Sequence, residues 1–214
     1  MRLDHVSYVA SHDQISDVVN RIGSQIGTAF VDGGIHPKFG TRNFTAPLLN
    51  NQYIEVVCPM DHPATDVSPF GMAVKKKLQE GGGWFTWVFA LESIEQIEKQ
   101  INRKSIEGRR KKPDGTELIW KQIGVLATLE NAEFPFFIEW LTKEHPSSTG
   151  NPKAKLAKIE ITGNNKALFE WSGVEIKNYL EVNQLNWQES NVNEKNTGIT
   201  KIDFEVNGQL FSIT

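Results

Sequence analysis

The chain has 214 residues and a formal charge of −3, from 23 Lys+Arg against 26 Asp+Glu, with 39% hydrophobic and 23% charged residues. That balance marks a folded globular chain, gives no field for a nucleic-acid backbone, and leaves no apolar run long enough to span a bilayer. Cys58 is the single cysteine, which excludes an intrachain disulfide and any paired-cysteine zinc site; with nothing resembling a signal peptide at residues 1–5, the expectation is a cytoplasmic protein.

The first element, His5-Val6-Ser7-Tyr8-Val9-Ala10, is rich in aromatic and β-branched residues and reads as a strand. Its alternation sets Leu3, His5, Ser7 and Val9 on one face, with Val6, Tyr8 and Ala10 on the other. Ser11 and Gln14 have capping-box spacing, and Ile15, Val18, Val19, Ile22 and Ile26 then recur at helical spacing. Tyr53-Ile54-Glu55-Val56-Val57 is a further strand, followed by His62-Pro63. Ser68 and Pro69 set the start of a connecting helix with its stripe at Phe70, Ala73, Val74, Lys77 and Leu78, stopped by Gly81-Gly82-Gly83.

The pattern then repeats. Trp84-Phe85-Thr86-Trp87-Val88-Phe89 is a strand, Ile94, Ile97 and Ile101 mark a helix, and Phe137-Ile138-Glu139-Trp140-Leu141 precedes His145-Pro146. Glu55 and Glu139 are 84 residues apart and the two His-Pro pairs 83, so a strand–helix–strands unit is duplicated. The basic cluster from Lys104 through Arg109, Arg110, Lys111 and Lys112 precedes a Pro113-Asp114-Gly115 turn signal and reads as a solvated loop. After a turn-rich stretch ending at Pro152, a partial third unit follows: a strand at 156–162, a short helix at 167–171, a polar loose segment at 188–198, and an alternating strand at 199–206 turned by Asn207-Gly208. The expected divisions are a first module at 1–66, a connecting helix at 67–82, a second module at 83–150 and a C-terminal partial module at 151–214.

Several segments resemble the glyoxalase-like domain group of the vicinal oxygen chelate superfamily. They are Leu3-Asp4-His5-Val6, the Gly34-Ile35-His36-Pro37-Lys38-Phe39-Gly40-Thr41-Arg42-Asn43 run, Tyr53 to Val57, and, in the second unit, Trp120 and Pro135 to Trp140. The resemblance implies an α+β fold of tandem βαβββ modules forming a cupped mixed sheet, here with a partial third βα-type unit. It also implies a divalent metal (Zn, Ni, Mn or Fe) held by a His of the first strand and a Glu of the fourth strand of each module. On this chain those positions fall at His5, Glu55 and Glu139, while Trp84 occupies the fourth and cannot ligate.

The implied activity is metal-assisted lyase, isomerase or dioxygenase chemistry on a substrate with vicinal oxygens, with Glu139 or His36 moving the proton. Arg42 and Asn43 are candidates to bind a carboxylate, and Trp84 and Trp120 to form aromatic walls. The alternative is a non-catalytic small-ligand binding protein of the bleomycin-resistance type. The implied partner is a small molecule, with no nucleic acid and no membrane, for a monomer or homodimer.

Overall fold

A computed structural model describes residues 1–112, 114–190 and 197–214. Pro113 of the expected turn and residues 191–196 of the polar segment lie outside the described residues. In chain order the elements are β1 (Arg2–Val9), α1 (Ile15–Ile26), β2 (Val31–His36), β3 (Thr41–Leu48), β4 (Gln52–Pro59), α2 (Pro63–Val67), α3 (Pro69–Gln79), β5 (Gly83–Ala90), α4 (Glu95–Gln100), β6 (Ile106–Lys111), β7 (Glu117–Ile123), α5 (Val125–Thr128), β8 (Phe136–Trp140), β9 (Ala154–Gly163), α6 (Asn165–Ser172), β10 (Leu185–Glu189), β11 (Gly198–Val206) and β12 (Gln209–Ile213).

The fold is α+β, and the two βαβββ modules curl their mixed sheet until it closes as a barrel in the order β1-β4-β3-β2-β6-β7-β8-β5. Within each module the first strand lies parallel to the last, β1 on β4 and β5 on β8. The modules join through β1 and β5, antiparallel along most of their length, and through a short seam at which Ile35 of β2 faces Lys111 of β6. The basic cluster is therefore not a loop: residues 106–111 form a strand whose buried positions are Gly108 and Arg110. Alternation turns Arg109 and Lys111 to solvent and Arg110 inward.

Helix α1 buries Ile15, Ile22 and Ile26 and ends at Gly27, whose left-handed φ of 64° lets its N–H reach the Gly23 carbonyl. The expected capping box does not form. A turn at residues 11–14 precedes the helix, and the Ser11 hydroxyl donates to the Gln14 side-chain oxygen instead of accepting a helix N–H. Helix α3 does start on Ser68, whose hydroxyl accepts the Gly71 N–H at 3.0 Å. It lays Phe70, Ala73 and Val74 against the barrel-interior cluster that includes Phe39 and Phe85. None of the helices among the described residues is long and apolar enough to cross a membrane.

The C-terminal segment repeats the β-α-β-β-β succession but pairs in the order β10-β9-β11-β12, with β9 and β10 parallel. It packs on the outside of the barrel, where Ile159, Ile161, Ile202 and Phe204 join Val6, Ile54, Trp87 and Phe89 in one buried cluster. Trp84 belongs to this contact: its indole N–H donates to the Ile213 carbonyl at 2.8 Å and its ring lies 6.2 Å from Phe204.

Candidate active site

Register decides which side chains enter the barrel. His5 of β1 faces Tyr53 of β4, and Val88 of β5 faces Phe136 of β8, so the modules are related by 83 residues (5 to 88, 53 to 136). The counterpart of His5 is Val88, and the counterpart of Glu55 is Ile138. A shift of one residue in a strand exchanges its faces, and Glu139 accordingly lies on the outer side of β8. There it accepts the Ile94 N–H at 3.0 Å, at the start of α4, and stands 3.6 Å from Lys121. Trp84, paired with Tyr8 rather than with a chamber residue, is likewise outside.

The interior brings together His5, His36, Asn43, Glu55, Arg110 and Gln122 among aromatic rings from Phe39, Tyr53, Phe70, Trp120, Phe136 and Trp140. The free space is about 30 Å³, room for little more than a water molecule. Of the residues proposed from sequence, His5, His36, Asn43, Glu55 and Trp120 converge here. Arg42 does not: the neighbour of inward Asn43 on β3, it points outward, binds Asp32 at 2.5 Å and lies over the Phe44 ring.

A polar chain crosses the chamber. Arg110 donates to the Asn43 side-chain oxygen at 2.7 Å, and the Asn43 amide donates to Glu55 at 2.5 Å. The other Glu55 oxygen accepts from the Ser7 hydroxyl at 2.7 Å. Gly33 makes this packing feasible, because a Cβ there would overlap the Asn43 oxygen and the Arg110 guanidinium. His36, 3% exposed, hydrogen-bonds through Nδ1 to the Thr41 hydroxyl at 2.9 Å and meets the Trp120 ring edge-on.

Asp4 is a buried carboxylate beside the chamber that no sequence pattern marks out. Leu3 pairs with Phe89 and His5 with Val88, so Asp4 is the extra residue of a β-bulge, a device that re-aims side chains. Its fully buried carboxylate contacts His5 Nδ1 at 3.0 Å, His145 Nε2 at 3.1 Å and Arg2 at 2.6 Å, and accepts from the Trp140 indole at 3.3 Å. An ionised carboxylate only accepts, so the Asp4 contact puts a proton on His5 Nδ1 and makes Nε2 the lone-pair nitrogen of the neutral ring.

Burial alone would raise the Asp4 carboxyl, but the hydrogen bonds and charge of His145 and His5 outweigh it and hold the group well below the ordinary carboxylate range. Glu55 is held down in the same sense: burial opposes, while the neighbouring His5 and His36 and the Ser7 and Asn43 hydrogen bonds prevail. For His36, burial dominates and pushes the imidazole down to about 4, with Glu55 opposing and Arg110 assisting. His36 is thus neutral at neutral pH, and its pull on Glu55 belongs to the acid range in which it takes up a proton.

A depressed imidazole has a stability consequence. Between the ordinary histidine pKa of 6.5 and about 4, the unfolded chain binds a proton that the folded chain refuses. Stability therefore falls as the pH drops through that window, by about 3 kcal/mol if His36 acts alone. Urea unfolding at pH 7.0 and 4.5 should show this loss, and His36→Phe should flatten the slope; an unchanged slope would mean that His36 charges freely in the fold.

The divalent metal implied by the resemblance requires a convergent donor set. Glu139 is outside, both Glu55 oxygens are taken by neutral donors, and Arg110 brings its own positive charge into the chamber. Among the described residues, no three His, Cys, Asp or Glu side chains are grouped so as to hold an ion. The residues present do not fit a resident metal.

The family model described as a glyoxalase-like domain matches residues 3–176. No curated protein sequence gives a significant match. Among solved structures, a hypothetical protein from Staphylococcus aureus aligns with 99% of this chain and 84% of its own, at 15% identity and a TM-score of 0.58. A hypothetical protein from Bacillus halodurans aligns with 70% of this chain and 98% of its own, at 15% identity and a TM-score of 0.44. The methylmalonyl-CoA epimerase from Mycobacterium tuberculosis covers 65% and 86%, at 11% identity and a TM-score of 0.42. At 15% identity the likeness to the Staphylococcus aureus protein is one of fold.

Proposed function

We propose, from the premise that this chain belongs to the glyoxalase-like domain family of the vicinal oxygen chelate superfamily, that the barrel interior binds a small oxyanion and moves a proton beside it without a resident metal. The observation that carries this reading is the buried Arg110–Asn43–Glu55 chain. A guanidinium in a water-poor chamber takes over the electrostatic task of a Lewis acid, stabilising negative charge on oxygen as it develops. Small 2-oxo acids, whose carboxylate and carbonyl present vicinal oxygens, are the fitting substrate class.

In the proposed step Glu55 takes a proton from the carbon next to the carbonyl. The C–H electron pair moves into a C–C double bond and the carbonyl pair onto oxygen, giving an enolate that Arg110 stabilises; return of the proton to carbon completes an isomerisation or exchange. Asp4 holds the His5 ring in one orientation beside the base. With about 30 Å³ free, a substrate is admitted only when lining side chains move aside.

The test is hydrogen–deuterium exchange at the C3 position of a panel of small 2-oxo acids in D2O, followed by proton NMR, with binding read from Trp120 and Trp140 fluorescence. Glu55→Gln should lower exchange by about 100-fold or more while binding persists. Arg110→Met, with circular dichroism confirming the fold, should weaken binding by about tenfold or more. Quenching without exchange in the unmodified protein would favour the sequestering alternative, to which the aromatic lining and small free volume also lend themselves. Neither quenching nor exchange would sink both readings.

A further inference from the structure

A second concavity lies outside the barrel, where the end of β7 and α5 face the loop after α4. Its volume is about 480 Å³, within the range of small-molecule sites. Ile101, Ile106, Leu126 and Trp171 give it apolar walls, and the exposed Ile106 and Leu126 are each more than 40% accessible. Gly124, at a left-handed φ of 101°, brings the backbone close to the edge of the Trp171 ring.

The polar feature of this groove is Gln122, which borders both the groove and the barrel chamber. The Trp120 indole N–H can only donate, so the Gln122 oxygen must face it, at 2.8 Å. That fixes the amide orientation and leaves Nε2 with no partner, although the residue is 3% exposed. A buried donor without an acceptor is costly and calls for an oxygen from elsewhere. On the rim stand Arg103 and Glu130, neither of which makes an ion pair among the described residues, and Lys104, paired with Glu98.

We propose that the groove is a binding site for an amphipathic carboxylate, its oxygens accepting from Gln122 Nε2, its apolar body against Ile106, Leu126 and Trp171, and Arg103 supplying the attractive charge. A carboxylate suits because it accepts without donating, as Nε2 requires, and because cations outnumber carboxylates on the rim, Arg103 and Lys104 against Glu130. The proposal does not depend on the chemistry inside the barrel.

Isothermal titration with octanoate, octanol and octylamine tests it. Octanoate should bind at one site at least tenfold more tightly than either the alcohol or the amine. Leu126→Glu, at an exposed position, should lower octanoate affinity at least tenfold. Gln122→Glu, which keeps an acceptor for Trp120 but removes the donor, should do the same; if it fails to fold, Leu126→Glu alone decides. Arg110→Met should leave octanoate binding unchanged, which separates failure of this site from failure of the barrel reading. No octanoate binding, equal binding of the alcohol, or indifference to Leu126→Glu would overturn the proposal.

Discussion

Asp4→Ala should destabilise the protein by about 3 kcal/mol at neutral pH. The carboxylate is wholly buried and meets His5, His145, Arg2 and Trp140 at once. Removing it strands the imidazole and indole donors, each at about 1–3 kcal/mol for an unsatisfied buried group, while half-exposed Arg2 recovers water. Because these contacts share one carboxylate, their losses are not additive and the total stays below the sum of its parts. Because the folded-state carboxyl is held below the ordinary 3.8, its contribution is complete above that pH and is lost as the pH falls below it. The difference between wild type and Asp4→Ala in urea unfolding should therefore be full at pH 7 and narrow below about pH 4. Asp4→Asn, retaining an acceptor, should cost about half as much. Nitrogen NMR of the His5 ring separates packing from positioning: the proton should reside on Nδ1 in wild type and be shared between tautomers in Asp4→Ala. A single tautomer in both would show that Asp4 does not set the ring.

Duplication, strand–helix order and the connecting helix were all legible, because each rests on hydrophobic spacing and cap chemistry that operate locally. The chamber's lining was legible in half. His5, Asn43 and Glu55 sit in the module where the motif is intact. In the second module, matching Glu55 to Glu139 followed residue identity at a spacing of 84, whereas the sheet runs at 83. That single residue turns Glu139 from chamber to exterior. The His62-Pro63 and His145-Pro146 pairs carried the correct spacing, since both imidazoles accept a backbone N–H at the following turn.

Arg110 was concealed by its neighbours. Four other cations in the same stretch suggest a solvated face, and only strict alternation from Gly108 shows that one of them must point inward. Asp4 was concealed differently: a bulge leaves no trace in composition or period, so the strand's alternation set Asp4 opposite His5. Strand β10 is held to β9 by backbone pairing from Leu185 to Glu189 with half-exposed side chains, which leaves little hydrophobic contrast to read.

Gly33→Ala tests the chamber from the opposite direction, by filling space. A methyl group there would overlap both the Asn43 oxygen and the Arg110 guanidinium, which are bonded to each other at 2.7 Å. Neither neighbour has an easy retreat: Asn43 is tied to Glu55 and Arg110 is 3% exposed within the barrel wall. Overpacking typically costs about 1–3 kcal/mol, and loosening a buried guanidinium from its partner adds to it, so about 3 kcal/mol is expected. Thermal and urea unfolding would measure the loss. The more telling result is its dependence on background. Asn43→Ala removes one of the two clashes, so Gly33→Ala should cost at least about 1 kcal/mol less in that background than in wild type. Binding of small 2-oxo acids should not return with the stability, since the double variant lacks the link between Arg110 and Glu55. A Gly33→Ala protein of wild-type stability would mean that Asn43 and Arg110 do not meet at this position, and the oxyanion site built on their contact would fall with it.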